Sequence, residues 1–347
     1  MNDVLISDPA PIGKESNVAL VGRTESRTAT RPAFADRVRA HIALTKPRII
    51  ELLLVTALPT MFLAARGLPT WQATIAVLIG GAFAAGAANT FNSLYDRDID
   101  SVMHRTTKRP AVTGQVSMSA GFIQGLVLSA LSITTLTVLA NPLSALLAGL
   151  AILGYAVGYT MLLKRRTDQN IVWGGAAGCM PVLIAWSAVT GSLSWTPVAL
   201  FLIVFWWTPP HYWPLAIKYR EDYRAADIPM LPAVRSPRSV ARHIVAYSWV
   251  MVGTSLALIV IAPMGWVYGI GASVLGAAFL AQAYRLWSSI RDDARRGVVA
   301  AIDEQADAPN DQEYSARSLK QSMRLFHGSI TYLAVLFLLV GLDPFVS

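Results

Sequence analysis

NSLYDRDIDSVMHRTTKRP, residues 92–110, follows directly on an apolar run that ends in GAANTF. Asn92, Asp96 and Asp100 recur every four residues, which on a helix sets them in one polar stripe that drifts only slightly around the axis. Asp98 adds a further carboxylate, and Arg97, His104, Arg105, Lys108 and Arg109 crowd positive charge into the same segment. Carboxylates beside cations suit a diphosphate ligand, because Mg²⁺ is held by one or two carboxylates together with the phosphates of its substrate. The competing reading is a hydrated loop whose acids and bases simply pair with one another. The regular spacing at the end of an apolar helix weighs against it.

Outward from this stretch the chain is apolar. Of 347 residues, 54% are hydrophobic and 14% charged, against roughly 25% charged in soluble domains. The chain therefore reads as an integral membrane protein in contact with the lipid bilayer, and no nucleic-acid partner is expected. Runs of about twenty residues, the length that crosses a bilayer, lie near 47–66, 72–92, 118–139, 143–163, 170–190, 195–216, 242–262, 266–286 and 324–342, so an all-α protein with nine spans is predicted. With that count, every one of the 29 Lys and Arg residues except Arg66 falls on one side. The asymmetry places the N-terminus and the long loops in the cytoplasm and the C-terminus outside. A miscounted span would mix the two charge classes, so the asymmetry also supports the count.

Residues 1–45 differ from the rest: they carry Pro9, Pro11 and Pro32, scattered Arg, Ser and Thr, and no sustained apolar run. They are read as a flexible cytoplasmic tail, with residues 46–347 as the membrane domain. No apolar segment precedes a cleavage site, so no secretory signal is expected. The single cysteine, Cys179, lies in an apolar run and excludes an internal disulfide framework.

A second polar segment follows the sixth span, TPPHYWPLAIKYREDYRAADIPMLP, with Lys218, Arg220, Glu221, Asp222, Arg224 and Asp227. Four spans separate the two acidic segments, so two halves each deliver an acid-bearing loop to the same side. Packed around a common axis, they would cap one cavity. Pro209 and Pro210 predict a kink in the sixth span, directly before His211, which has Trp206, Trp207, Tyr212 and Trp213 around it. An interfacial aromatic belt is the plain reading of that cluster; an imidazole that contacts a ligand is the sharper one. Lys164, Arg165 and Arg166 anchor the fourth span, with phosphate binding as a second role. The acidic part of the last loop, Asp303 to Glu313, reads as a solvated linker.

The segments Asn92–Pro110, Asn170–Pro181, Thr208–Tyr223 and Ile228–Pro232 together resemble the protohaem IX farnesyltransferase family, a branch of the intramembrane aromatic prenyltransferases, and the resemblance runs from about residue 42 to the end. It implies helices ringing a central cavity, with two Asp-rich loops over the cytoplasmic mouth. The implied reaction joins farnesyl diphosphate to the 2-vinyl group of haem B, giving haem O and diphosphate in the bacterial cytoplasmic membrane, with haem A synthase as the candidate partner. By motif position, Asn92, Asp96, Asp100 and Asp222 would hold Mg²⁺ and diphosphate. Arg105, Lys108 and Arg109 would neutralise the leaving group, with Lys164, Lys218 and Arg220 as further substrate contacts and His211 at the haem. One departure stands out: many superfamily members carry an acid four residues before the second-loop Asp, where this chain has Lys218. Two alternatives remain, a quinone precursor or other aromatic ring as acceptor, and a secondary transporter with ionisable groups on broken helices. The near absence of charge inside the spans argues against transport.

Overall fold

The structure, a computed structural model, describes residues 33–296 and 314–346. The expected tail before residue 33, the acidic part of the last loop and Ser347 lie outside the described residues. All regular structure among the described residues is helical. The long helices are α2 (Pro47–Ala65), α3 (Trp71–Tyr95), α5 (Met118–Leu139), α6 (Pro142–Leu163), α7 (Asn170–Thr190), α8 (Trp195–Lys218), α11 (Pro237–Ile261), α12 (Trp266–Arg295) and α13 (Ala316–Val346). Short helices fill the loops: α1 (Phe34–Leu44), α4 (Arg97–Val102), α9 (Arg220–Ala225) and α10 (Leu231–Val234).

Among the described residues, seven helices are long and apolar enough to cross a membrane: α3, α5, α6, α7, α11, α12 and α13. The expected count was nine. The sixth predicted span, α8, is long enough, but its Trp, Tyr, His and Pro residues make it less apolar. Among the described residues of α2, Val55–Ala65 is a shorter apolar helix. Three prolines, Pro209, Pro210 and Pro214, lie inside α8, yet the helix continues through them to Lys218.

Successive helices pack side by side from α3 to α13, and α13 then returns against α8 and α2, which closes the bundle. Leucines and isoleucines that face outward on α5 and α6, such as Ile123, Leu126, Leu146 and Leu150, are exposed, as a lipid-facing surface requires. Inside, small polar groups join helices: Ser132 Oγ donates to Gly80 O (2.7 Å), and the hydroxyls of Ser255 and Tyr332 lie 2.8 Å apart. Such bonds average about 0.6 kcal/mol each in membranes, so they set register while van der Waals packing holds the bundle.

One boundary moves. The expected tail extended to residue 45, but Phe34–Leu44 forms α1. Its buried Ala40 and Leu44 pack with Leu94, Ala111 and Val116, and Gln124 Nε2 donates to His41 O at 2.9 Å. The sequence hid this helix because its apolar residues are spaced at helical intervals and never form a run.

Candidate active site

The acidic stripe survives a break in its helix. Asp96 lies between α3 and α4, yet Asp96 N donates to Asn92 O (3.0 Å) and Asp100 N to Asp96 O (2.8 Å), so the four-residue spacing keeps all three side chains on one face. Asp96 and Asp100 are 0% and 1% exposed. A carboxylate so buried must be paired and hydrogen-bonded to stay ionised. Asp96 pairs with Lys164 and accepts from Asn92 Nδ2 at 2.6 Å, while Arg109 donates to Asp100 Oδ2 at 2.5 Å. Asn92 Nδ2 also reaches Thr160 Oγ1 (3.2 Å), and Asn92 Oδ1 accepts from Lys46 Nζ at 2.6 Å. The acids do pair with bases, as the hydrated-loop reading supposed, but at the cavity they are out of water. Only Asp98 follows that reading fully: exposed, it pairs with Arg165 at 2.6 Å, a bond that lowers its pKa.

Of these groups, Lys46, Asn92, Asp100, Arg109 and Lys164 line a cavity of about 420 Å³; Asp96 does not line it and is joined to it through Lys164 and Asn92. The rest of the lining is largely aromatic, with Trp207 and Tyr212 from α8 and Tyr223 from α9. Tyr155 and Tyr159 complete the lining, carried there by Gly154–Leu163, where α6 widens into π-helical turns; such turns recur at functional sites. Deeper in the bundle, an apolar chamber lined by Ala57, Val77, Ala84, Ile152 and Ile184 adjoins the cavity, and Tyr155 and Gly178 line both.

Lys46 and the tyrosines escaped the sequence reading. Lys46 counted there only as a positive-inside charge, but it precedes Pro47 with φ 53° and ψ 65°, in the left-handed region that a lysine seldom adopts. That conformation aims the ammonium group at Asn92. Burial, reinforced by Arg109 and Lys164, lowers its pKa to about 7 against the pull of Asp100 and Asp96. Helical spacing from Tyr155 to Tyr159 was the available signal for the tyrosines, but within an apolar span it reads as ordinary packing.

Other predicted residues are placed elsewhere. Asp222, expected to ligate metal, does not line the cavity; consecutive residues on a short helix point about 100° apart, and it is Tyr223 that faces in. Arg220 is buried against Glu221 (2.8 Å) and lies over the Tyr314 ring, Lys218 lies over Tyr219, and Lys108 borders a separate surface groove with Arg37 and Arg39. None of the three lines the cavity. His211 turns toward α13: its Nδ1 is 2.6 Å from Ser329 Oγ, and its ring stacks between Trp207 and Phe326 at centroid distances of 4.0 and 4.8 Å. Arg105 does line the cavity, but on the aromatic side and not beside the carboxylates: it donates to Tyr223 Oη at 2.7 Å.

Among the described residues, no group of three or more His, Cys, Asp or Glu side chains gathers to hold a metal ion. A cation held by protein ligands alone therefore does not fit here. Asp96, Asp100 and Asn92 do fit Mg²⁺ shared with a phosphate-bearing ligand, since all their donors are hard oxygens and Asp96 Oδ1 is buried without accepting a hydrogen bond.

A buried acidic stripe among cations, opening on an apolar chamber inside a helical bundle, suits an apolar diphosphate, and the comparisons agree. The chain is similar to the protoheme IX farnesyltransferase of Nocardioides sp., 50% identical over 323 residues that make up 93% of this chain and 96% of that one. Its likeness to the enzyme of the same name from Paenarthrobacter aurescens is 48% over 334 residues, 95% and 98% of the two chains. Among solved structures, a digeranylgeranylglyceryl phosphate synthase superposes with a TM-score of 0.68 at 13% identity, covering 89% of this chain and 99% of its own. A UbiA homolog from Archaeoglobus fulgidus bound to GPP and Mg²⁺ gives 0.56 at 18%, covering 86% and 99%. At those identities the likeness is one of fold. The model of the UbiA prenyltransferase family matches residues 53–301, and the chain belongs to that family of prenyltransferases.

Proposed function

We propose that this chain transfers the farnesyl group of farnesyl diphosphate to the 2-vinyl group of haem B, giving haem O and diphosphate. The observation that carries the proposal is the junction of a cation-rich carboxylate wall with an apolar chamber, at Tyr155 and Gly178. The names of relatives about half identical over nearly the whole chain supply the acceptor.

The chemistry follows from the two walls. The bond between C1 of the farnesyl group and the diphosphate oxygen breaks, and its electron pair leaves with diphosphate. Lys46, Lys164 and Arg109 stabilise the negative charge that develops there, and fixed cations in a water-poor site are effective at this. Asp96, Asp100 and Asn92 would hold Mg²⁺, which supplies further charge neutralisation at the leaving oxygens. The vinyl π electrons form the new C–C bond to C1, the positive charge moves to the carbon next to the porphyrin, and water adds there with loss of a proton. Before that step, the apolar chamber keeps water from the allylic cation. The proposed setting is the bacterial cytoplasmic membrane, with nine helices crossing it, residues before 33 as a cytoplasmic extension, the polar mouth in the cytoplasm and haem A synthase taking up the product.

The test is to supply the purified chain with haem B, farnesyl diphosphate and Mg²⁺ and to seek haem O by mass. Haem O that forms only with all three supports the reading. Prenylation of a quinone precursor with none of haem B would replace it with the alternative acceptor.

A further inference from the structure

The cavity carries four cations, and they are not distributed alike. Lys164 and Arg109 each pair with a carboxylate and Lys46 donates to Asn92, so three belong to the acidic wall. Arg105, from the same loop, makes its contacts among the aromatic lining instead. There its guanidinium donates to Tyr223 Oη and lies over the rings of Tyr219 and Tyr223, at 5.3 and 5.2 Å from their centroids. Tyr212 Oη, 2.8 Å from Tyr223 Oη, extends the chain. Among the described residues, Arg105 forms no ion pair with a carboxylate.

A guanidinium fixed at one nitrogen and stacked on aromatic faces keeps its remaining N–H groups in a set direction, ready for a planar anion. Diphosphate is served by the three cations tied to Asp96, Asp100 and Asn92. We infer that Arg105, held by Tyr223, binds a carboxylate of the acceptor substrate. The inference rests on the haem reading: haem B carries two propionates on the edge of the porphyrin away from its vinyl groups. Holding one at Arg105, an exposed residue, turns the vinyl edge away from Arg105, and the aromatic lining offers flat area to the macrocycle.

The experiment compares haem B with its dimethyl ester as acceptor, for the wild-type chain, Arg105→Lys and Arg105→Gln, and follows the KM of each substrate and inhibition by inorganic diphosphate. The wild type should lose about tenfold or more in KM on esterification, the scale of one charge-assisted hydrogen bond. Arg105→Gln should raise the KM for haem B by a similar factor, respond little to esterification, and keep the KM for farnesyl diphosphate and the inhibition by diphosphate. Arg105→Lys should recover part of the loss. Equal use of haem B and its ester by the wild type overturns the inference even if the variants fail to accumulate. So does an Arg105→Gln whose defect lies in farnesyl diphosphate and diphosphate binding. No haem O from the wild type with either acceptor would instead remove the haem reading itself.

Discussion

At the scale of single residues, the site depends on buried charges that compensate one another. Asp96→Asn and Asp100→Asn should each lower turnover by about 10²-fold or more, the loss expected when an electrostatic stabiliser is removed. Membrane insertion should be normal, because neither residue lies in an apolar run. Steady-state rates of haem O formation check this, and wild-type rates, or full activity in excess EDTA, would reject a Mg²⁺-diphosphate site. Lys164→Met leaves Asp96 buried without its principal counter-charge, and breaking one partner of a buried pair costs about 3–5 kcal/mol. That variant should therefore melt earlier in detergent as well as turn over more slowly. For His211 the structure changes the expectation. An imidazole stacked between Trp207 and Phe326 and hydrogen-bonded to Ser329 acts as packing between α8 and α13. His211→Phe keeps the stacking, so it should retain most activity and leave the absorption of bound haem unchanged; a shifted spectrum with lost activity would restore the haem-ligand assignment.

At the scale of elements, α7 is the helix whose composition the cavity needs. Gly174, Gly175 and Gly178 line it. A Cβ on Gly175 would meet Thr208 at 3.0 Å, so that glycine allows α7 and α8 to approach, whereas a Cβ on Gly178 meets nothing within 4 Å. Gly178 is therefore glycine for the sake of space and not of packing, and it lies where the polar cavity joins the apolar chamber. Gly178→Leu should fold normally and narrow that passage, and its kcat/KM for farnesyl diphosphate should fall at least about tenfold relative to that for dimethylallyl diphosphate, as steric exclusion of a long chain requires. Equal losses for both donors would mean that the chain does not pass Gly178. The motif NIVWGGAAGCMP was visible in the sequence, but which of its glycines makes room and which makes contact depends on Thr208, more than thirty residues away.

For the whole molecule, the charge asymmetry predicts orientation. Cys179 is buried, so an introduced cysteine supplies the signal in a labelling experiment. A membrane-impermeant thiol reagent applied to intact cells should label Ser192→Cys, in the turn between α7 and α8, and leave Ser101→Cys, on α4, unlabelled until the membrane is opened. Labelling of Ser101→Cys alone would invert the topology.

Sequence alone determined the class of the molecule and the position of its first acidic segment. Run length and hydropathy are local properties, set by the thickness of a bilayer and the need of each helix to satisfy its own backbone, and a four-residue spacing fixes a stripe on any helix. The stripe at Asn92, Asp96 and Asp100 was legible for that reason. What faces the stripe was not. Lys46, Thr160 and Lys164 come from loops and helices distant in sequence, Tyr223 and not Asp222 lines the cavity from α9, and Arg105 leaves the carboxylates of its own motif for Tyr223. Those pairings, Arg105 with Tyr223 among them, belong to the tertiary structure, because a charge taken out of water must find its partner in space, and adjacency in the chain does not say where that partner lies.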